Sequence, residues 1–214
     1  MVKKKIIDYL NLNKCFGIEY CEPITFDKKI NSNTNLPNEM QTLNNYIEHC
    51  SLCELSKQNQ KKTFGFGNSY SEIYIVGIAC DFQNENIVKL LKYVIEDILE
   101  LNIQDVYITN LIKCTPKVQT TINQNIIDLC KEYFIKQVDI IRPKYIIAFG
   151  EVSTYLLKNE NNISYIYGNS YDYNGLNFIP MLDLEFVYKN PSYQDELYKD
   201  FKKLKILMEQ KWNI

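Results

Sequence analysis

Two hydrophobic periods alternate along this chain. Residues 72–77, 105–111, 145–150 and 177–182 are short and almost continuously apolar, the pattern of strands buried on both faces. Between them, residues 40–50, 86–101, 122–141, 152–158 and 195–211 place apolar side chains at helical spacing. In 86–101, for example, Val88, Leu91, Val94, Ile95 and Leu99 share one side. Pro143 stops the third of these helices. Strands buried on both faces and separated by helices predict an α/β protein, with a parallel sheet between two helical layers. Ligands of such sheets bind at the carboxyl ends of the strands, which here are residues 77–81, 110–115, 150–151 and 182–185. Ahead of this unit, residues 1–12 have helical spacing, and residues 26–38 are polar, Asn-rich and carry Pro37. The expected division is a helix and linker over 1–38, then one domain over 39–214. No internal repeat is visible.

Charge narrows the functions available. The chain has 24 basic and 26 acidic residues, a net charge of −2, which excludes a generally basic nucleic-acid coat but not a local basic face. Arg142 is the sole arginine, so any phosphate contact rests on lysine, hydroxyls or backbone N–H groups. Lys3, Lys4 and Lys5 are not followed by an apolar stretch, and the longest apolar runs are strand-length. No membrane segment is therefore expected, and the expected location is the cytoplasm. In that reducing setting the seven cysteines read as metal ligands or buried thiols rather than disulfides.

The spacing of the cysteines carries the sharpest chemical signal. Cys50 and Cys53 form a C-x2-C; Cys114 follows just past the second strand, and Cys130 lies in the next helix, which can return its thiol toward the others. Four thiolates suit a [4Fe–4S] cluster, which tolerates scattered ligands. A tetrahedral zinc site and plain buried thiols remain the alternatives on spacing alone. Cys15, Cys21 and Cys80 have no comparable partner and read as structural.

Several segments together resemble a known family. Cys50-Ser51-Leu52-Cys53-Glu54-Leu55, Phe64-Gly65-Phe66-Gly67-Asn68 and Tyr74-Ile75-Val76-Gly77 are similar to the opening of family 4 uracil-DNA glycosylases. Val106-Tyr107-Ile108-Thr109-Asn110-Leu111-Ile112-Lys113-Cys114 resembles their second-strand motif, and Ile141-Arg142-Pro143-Lys144, Tyr171-Asp172-Tyr173-Asn174-Gly175 and Lys189-Asn190-Pro191-Ser192 follow in matching order. The resemblance covers residues 43–205. It implies a three-layer α/β/α sandwich around a four-stranded parallel sheet, a [4Fe–4S] cluster on Cys50, Cys53, Cys114 and Cys130, and DNA as a partner. It also implies that Asn110 reads the edge of a flipped-out base, since an amide both donates and accepts.

The resemblance fails where the family's chemistry lies. The family's first strand ends Gly-Glu-Ala-Pro-Gly, whereas this chain has Gly77-Ile78-Ala79-Cys80-Asp81, and Ile78 cannot orient water. The aromatic loop that follows in the family is shortened to Phe82-Gln83-Asn84-Glu85-Asn86. Phe82 is read as an anchor for the helix start rather than as a replacement platform. The family's His-Pro-Ser falls on Asp183-Leu184-Glu185, which puts a carboxylate where a donor stabilises the departing base. Asp81 and Asp183 are the weak catalytic candidates, with Glu185 at the same expected mouth. His49, the only histidine, abuts a cluster cysteine and is not expected to act as a base. Lys113, Lys117 and the loop 61–68 are candidate phosphate contacts. The expectation is an iron–sulfur protein of this fold with a degenerate site, binding nucleic acid or a protein partner. The alternative is an active glycosylase for uracil or another damaged base in base-excision repair.

Overall fold

A computed structural model describes residues 36–58, 61–115, 122–157 and 167–212. The expected helix at 1–12, most of the polar stretch 26–38, Cys15, Cys21 and Lys117 fall outside these residues.

The four apolar runs form a parallel sheet core: β2 (Ile73–Gly77), β3 (Tyr107–Asn110), β4 (Tyr145–Phe149) and β6 (Leu176–Met181). Ile75 pairs with Ile108 on one side and with Ile147 on the other, and Ile147 pairs with Ile179. The sheet is larger and less uniform than the expected four parallel strands. Two short antiparallel edges, β1 (Phe66–Gly67) and β5 (Tyr171–Tyr173), complete the order β1-β3-β2-β4-β6-β5. β5 joins β6 through Asn174 and Gly175, both at positive φ (54° and 87°), the conformation of a tight two-residue hairpin turn.

Alternation along each strand divides the core into two layers. Ile73, Ile75, Ile108, Ile147 and Ile179 face one side. They are covered by α3 (Glu85–Lys92), α6 (Leu184–Lys189) and α7 (Gln194–Trp212). Tyr74, Val76, Tyr107, Ile146 and Phe178 face the other, under α2 (Glu54–Lys57), α4 (Gln124–Ile141) and α5 (Val152–Leu157). α1 (Met40–Glu48) lies outside α4, packing Leu43 and Ile47 on Tyr133. The helix expected over 86–101 changes character at Tyr93–Ile98, where it widens to a π-helix with Val94, Ile95 and Ile98 buried. The chain then turns at Glu100 (φ 59°).

β2 has β3 on one flank and β4 on the other, so successive crossovers leave it in opposite directions. That is the switch point at which doubly wound sheets open a crevice beyond their strand ends. No helix among the described residues is long and apolar enough to cross a membrane.

Candidate functional site

The strand ends frame a cavity of about 820 Å³, within the size range of small-molecule sites. Ile78, Ala79 and Cys80 enter it from the end of β2, Gly150 and Glu151 from the end of β4, and Leu182 and Asp183 from the end of β6. Its outer wall is Tyr167, Glu185, Phe186, Tyr193 and Glu196. Phe186 and Tyr193 meet edge to face, with ring centroids 4.9 Å apart.

Asp183 is fixed by local structure. It caps the N-terminus of α6, its Oδ1 accepting the Phe186 N–H at 2.8 Å, which satisfies one of the helix's orphan donors. It also packs on Gly150, where an added Cβ would stand 2.8 Å from the Asp183 Cβ. At φ 63° a side chain at position 150 is disfavoured on backbone grounds as well. Burial is the main influence raising the Asp183 pKa, with the Phe186 N–H pulling it back and the Glu185 carboxylate adding to the rise. The Tyr167 phenol is pushed up to about 12, first by burial and then by Asp183 and Glu151.

The other expected mouth residues do not all converge. Glu185 lines the cavity, while its carboxylate meets Lys189 at 3.4 Å across one turn of α6. Asp81 does not line it; exposed, it accepts the Gln83 N–H at 3.0 Å and closes its own turn. Phe82 stands edge to face with Phe66 at 5.7 Å, beside a separate hollow of about 460 Å³ that both line. It is no platform for the main cavity. Cys80, expected to be only structural, lines the main cavity, where burial and the Asp183, Glu185 and Asp81 carboxylates push its thiol upward.

Asn110 lies at the end of β3, buried, beneath this cavity rather than in its wall. Its Nδ2 donates to the Cys80 carbonyl at 2.9 Å, and its Oδ1 accepts the Cys80 N–H at 3.0 Å. The carboxamide thus clamps the turn that follows β2. The approach is so close that a Cβ on Gly77 would come within 2.9 Å of the Cys80 Cβ and 3.0 Å of the Asn110 Oδ1.

The cysteines form a second centre. Cys50, Cys53, Cys114 and Cys130 line one small cavity on the α2 and α4 side of the sheet. Cys50 follows α1, Cys53 caps α2, Cys114 follows β3 and Cys130 is in α4. Burial, followed by Cys130 and Cys53, pushes the Cys114 thiol up to about 11; burial also raises Cys130, against a hydrogen bond from the Lys113 backbone N–H. Among the described residues no three His, Cys, Asp or Glu side chains converge as a site for a single metal ion. His49 caps α1 from an exposed position, its Nδ1 2.8 Å from the Asn45 carbonyl.

Lys113 departs most from expectation. Placed among candidate phosphate contacts, it is 2% exposed and cannot reach a phosphate. Its Nζ donates to the Thr109 Oγ1 at 2.9 Å, the Asn110 carbonyl at 2.6 Å and the Gln137 Oε1 at 2.7 Å. Desolvation pushes the ammonium down to about 7, opposed by the neighbouring Cys130. The signal that could have revealed this is Gln137, a polar residue on the face of α4 that otherwise buries Phe134, Val138 and Ile141. It also accepts from the Tyr74 hydroxyl at 2.9 Å and donates to the Phe64 carbonyl at 2.9 Å.

Residues 64–207 match the model of the uracil DNA glycosylase superfamily. The chain belongs to that superfamily. It is 33% identical over 183 residues to a type-4 uracil-DNA glycosylase of Saccharolobus solfataricus, covering 77% of this chain and 84% of that one. To the type-4 uracil-DNA glycosylase of Archaeoglobus fulgidus it is 29% identical over 175 residues, 74% of this chain and 87% of the relative. A DNA polymerase of Bacillus phage SP01 is 30% identical over 123 residues, 58% of this chain but only 13% of the polymerase. The large cavity lies at the carboxyl ends of the parallel strands, where open α/β sheets bind their ligands.

Proposed function

We propose that this chain is an iron–sulfur protein of the uracil-DNA glycosylase superfamily that holds a nucleobase at its strand ends but has lost efficient uracil excision. The observation that supports this reading is that Ile78 and Asp183 both line the large cavity; by resemblance they occupy the positions of the family's water-orienting acid and base-stabilising histidine. Ile78 offers no acceptor. Asp183 offers a carboxylate where negative charge develops on departing uracil, and losing one such donor typically costs 10²–10³ in rate, about 3–4 kcal/mol. Asn110, assigned to the base edge by resemblance, keeps one N–H and one lone pair beyond its two Cys80 bonds, but it lies outside the lining of the cavity and would read a base only if the Cys80 turn moved aside.

The four cysteines around one cavity support a [4Fe–4S] cluster. A single zinc needs its thiolates drawn to one point at about 2.3 Å, whereas a cluster takes one thiolate per iron across a wider body. Burial first, and then the neighbouring cysteines, raise the Cys114 and Cys130 thiols, and a cationic metal core would relieve this by binding their thiolate forms. The residues thus fit the group; when bound, it would cross-link α1, α2, the end of β3 and α4. On this reading residues 39–214 form the iron–sulfur domain and residues 1–38 an appendage.

Nucleic-acid binding is tested by fluorescence anisotropy with a single-stranded oligonucleotide. Lysine-driven contact predicts an affinity that falls steeply between low and physiological salt, by tenfold or more for several neutralised phosphates. Absent or salt-insensitive binding would turn the reading toward a protein partner.

A further inference from the structure

The large cavity carries one sign of charge. Glu151, Asp183, Glu185 and Glu196 line it, and among the described residues no lysine, arginine or histidine does. Lys189, the cation paired with Glu185, has a side chain 69% exposed and lies outside the lining. The aromatic walls have the same preference by a separate mechanism. Tyr167, Phe186 and Tyr193 present rings whose faces carry partial negative charge, and cations bind over such faces. Phe186 and Tyr193 are each 41% exposed, so their rings are accessible to a ligand at the mouth.

These features select against two kinds of occupant. A phosphate would meet four carboxylates, with Lys189 on Glu185 as the single cation paired to them among the described residues. A neutral pyrimidine would gain stacking and, through an N–H, a hydrogen bond to one carboxylate, but would compensate none of the negative charge it desolvates. A bare metal ion is also a poor match, since no three ligating side chains converge among the described residues and the cavity, at about 820 Å³, is in the range of organic-ligand sites. The remaining class is flat, organic and positively charged.

We propose that this cavity selects a nucleobase bearing a positive charge, such as an N-methylated purine, over neutral uracil. The inference rests on the reading that the cavity receives a nucleobase. It gives a reason for the exchange at the family's histidine position: Asp183 opposes a base that becomes anionic and attracts one that arrives cationic. The N-cap role of Asp183 holds that carboxylate in place.

The test uses the full-length, cluster-loaded protein and three single-stranded oligonucleotides that differ at one central base: 1-methyladenine (cationic at neutral pH), adenine or uracil. Anisotropy titrations are expected to show the methylated strand binding about tenfold more tightly than either neutral strand, a difference of about 1.4 kcal/mol. Asp183→Asn keeps the N-cap hydrogen bond, because Asn caps as well as Asp, and is expected to reduce that preference at least threefold. Glu196→Gln, on the first turn of α7, is a second neutralisation that leaves the α6 cap untouched and is expected to act in the same direction. Equal affinity for all three strands, or preference for uracil, would overturn the cationic selectivity while leaving nucleic-acid binding intact. Failure to bind any of the strands would overturn the nucleobase reading itself.

Discussion

Gln137→Ala is expected to lower the unfolding free energy by about 3–5 kcal/mol, the largest single loss away from the cysteines. Gln137 is 0% exposed and is the hub of the polar network between sheet and α4. Its Oε1 accepts from Lys113 at 2.7 Å and from the Tyr74 hydroxyl at 2.9 Å, and its Nε2 reaches the Phe64 carbonyl at 2.9 Å and the Tyr107 hydroxyl at 3.3 Å. Truncation leaves a buried amine short of an acceptor and the fully buried Tyr74 hydroxyl without its partner. Each such loss costs about 1–3 kcal/mol, with more for charged groups, and the cavity left behind adds to it. Urea denaturation of wild type and variant measures the difference; a change below about 1 kcal/mol would show that the network is dispensable. Replacing Lys113 by Met should cost less, since it removes a desolvated ammonium while the Gln137 Oε1 keeps the Tyr74 hydroxyl and the Thr109 hydroxyl keeps the Phe64 carbonyl.

Cys130→Ala is expected to remove most of the bound iron and the broad absorption near about 400 nm that accompanies thiolate-ligated iron–sulfur clusters. Cys130 is fixed by α4, and its sulfur receives the Lys113 backbone N–H, so no neighbouring thiol can move into its place without unwinding the helix. The thiol side chain contributes little to packing by itself. Circular dichroism should therefore report retained helix and sheet in the variant at low temperature, with a lowered midpoint of thermal unfolding. Iron content and spectrum unchanged from wild type would remove Cys130 from the ligand set, and an equimolar zinc content in the wild-type protein would replace the cluster by a single ion.

The parallel core of the sheet was legible because its strands are buried on both faces, so continuous apolar runs marked them directly. The edges were not. β1 is two residues long and β5 three, too short for periodicity to register; the Asn174-Gly175 pair was the available sign of a hairpin, and it was read only as part of a motif. Helix α6 was missed for a related reason. Asp183 was weighed as chemistry, while its position ahead of Leu184–Lys189 also makes it an N-cap. The cavity itself follows from topology, and its acidic wall could be foreseen at Asp183 and Glu185. Glu151, Tyr167 and Glu196 come from distant segments that only the fold brings together. Lys113 reads from the sequence as a candidate phosphate contact, and the structure buries it. Its burial depends on Gln137, 24 residues away, which no local pattern discloses.

The account turns most directly on uracil release under single-turnover conditions. Anaerobically purified, cluster-loaded protein in excess is mixed with uracil-containing single-stranded DNA and with duplex DNA carrying a G·U pair, and free uracil is measured over time. With Ile78 and Asp183 at the cavity wall, the predicted result from protein whose cluster is intact is release at least about 10²–10³-fold slower than a typical enzymatic rate, down to none. Release at a rate typical of enzymes, on the order of one per second, would contradict the loss of uracil chemistry and place a working catalytic group among the carboxylates of this cavity.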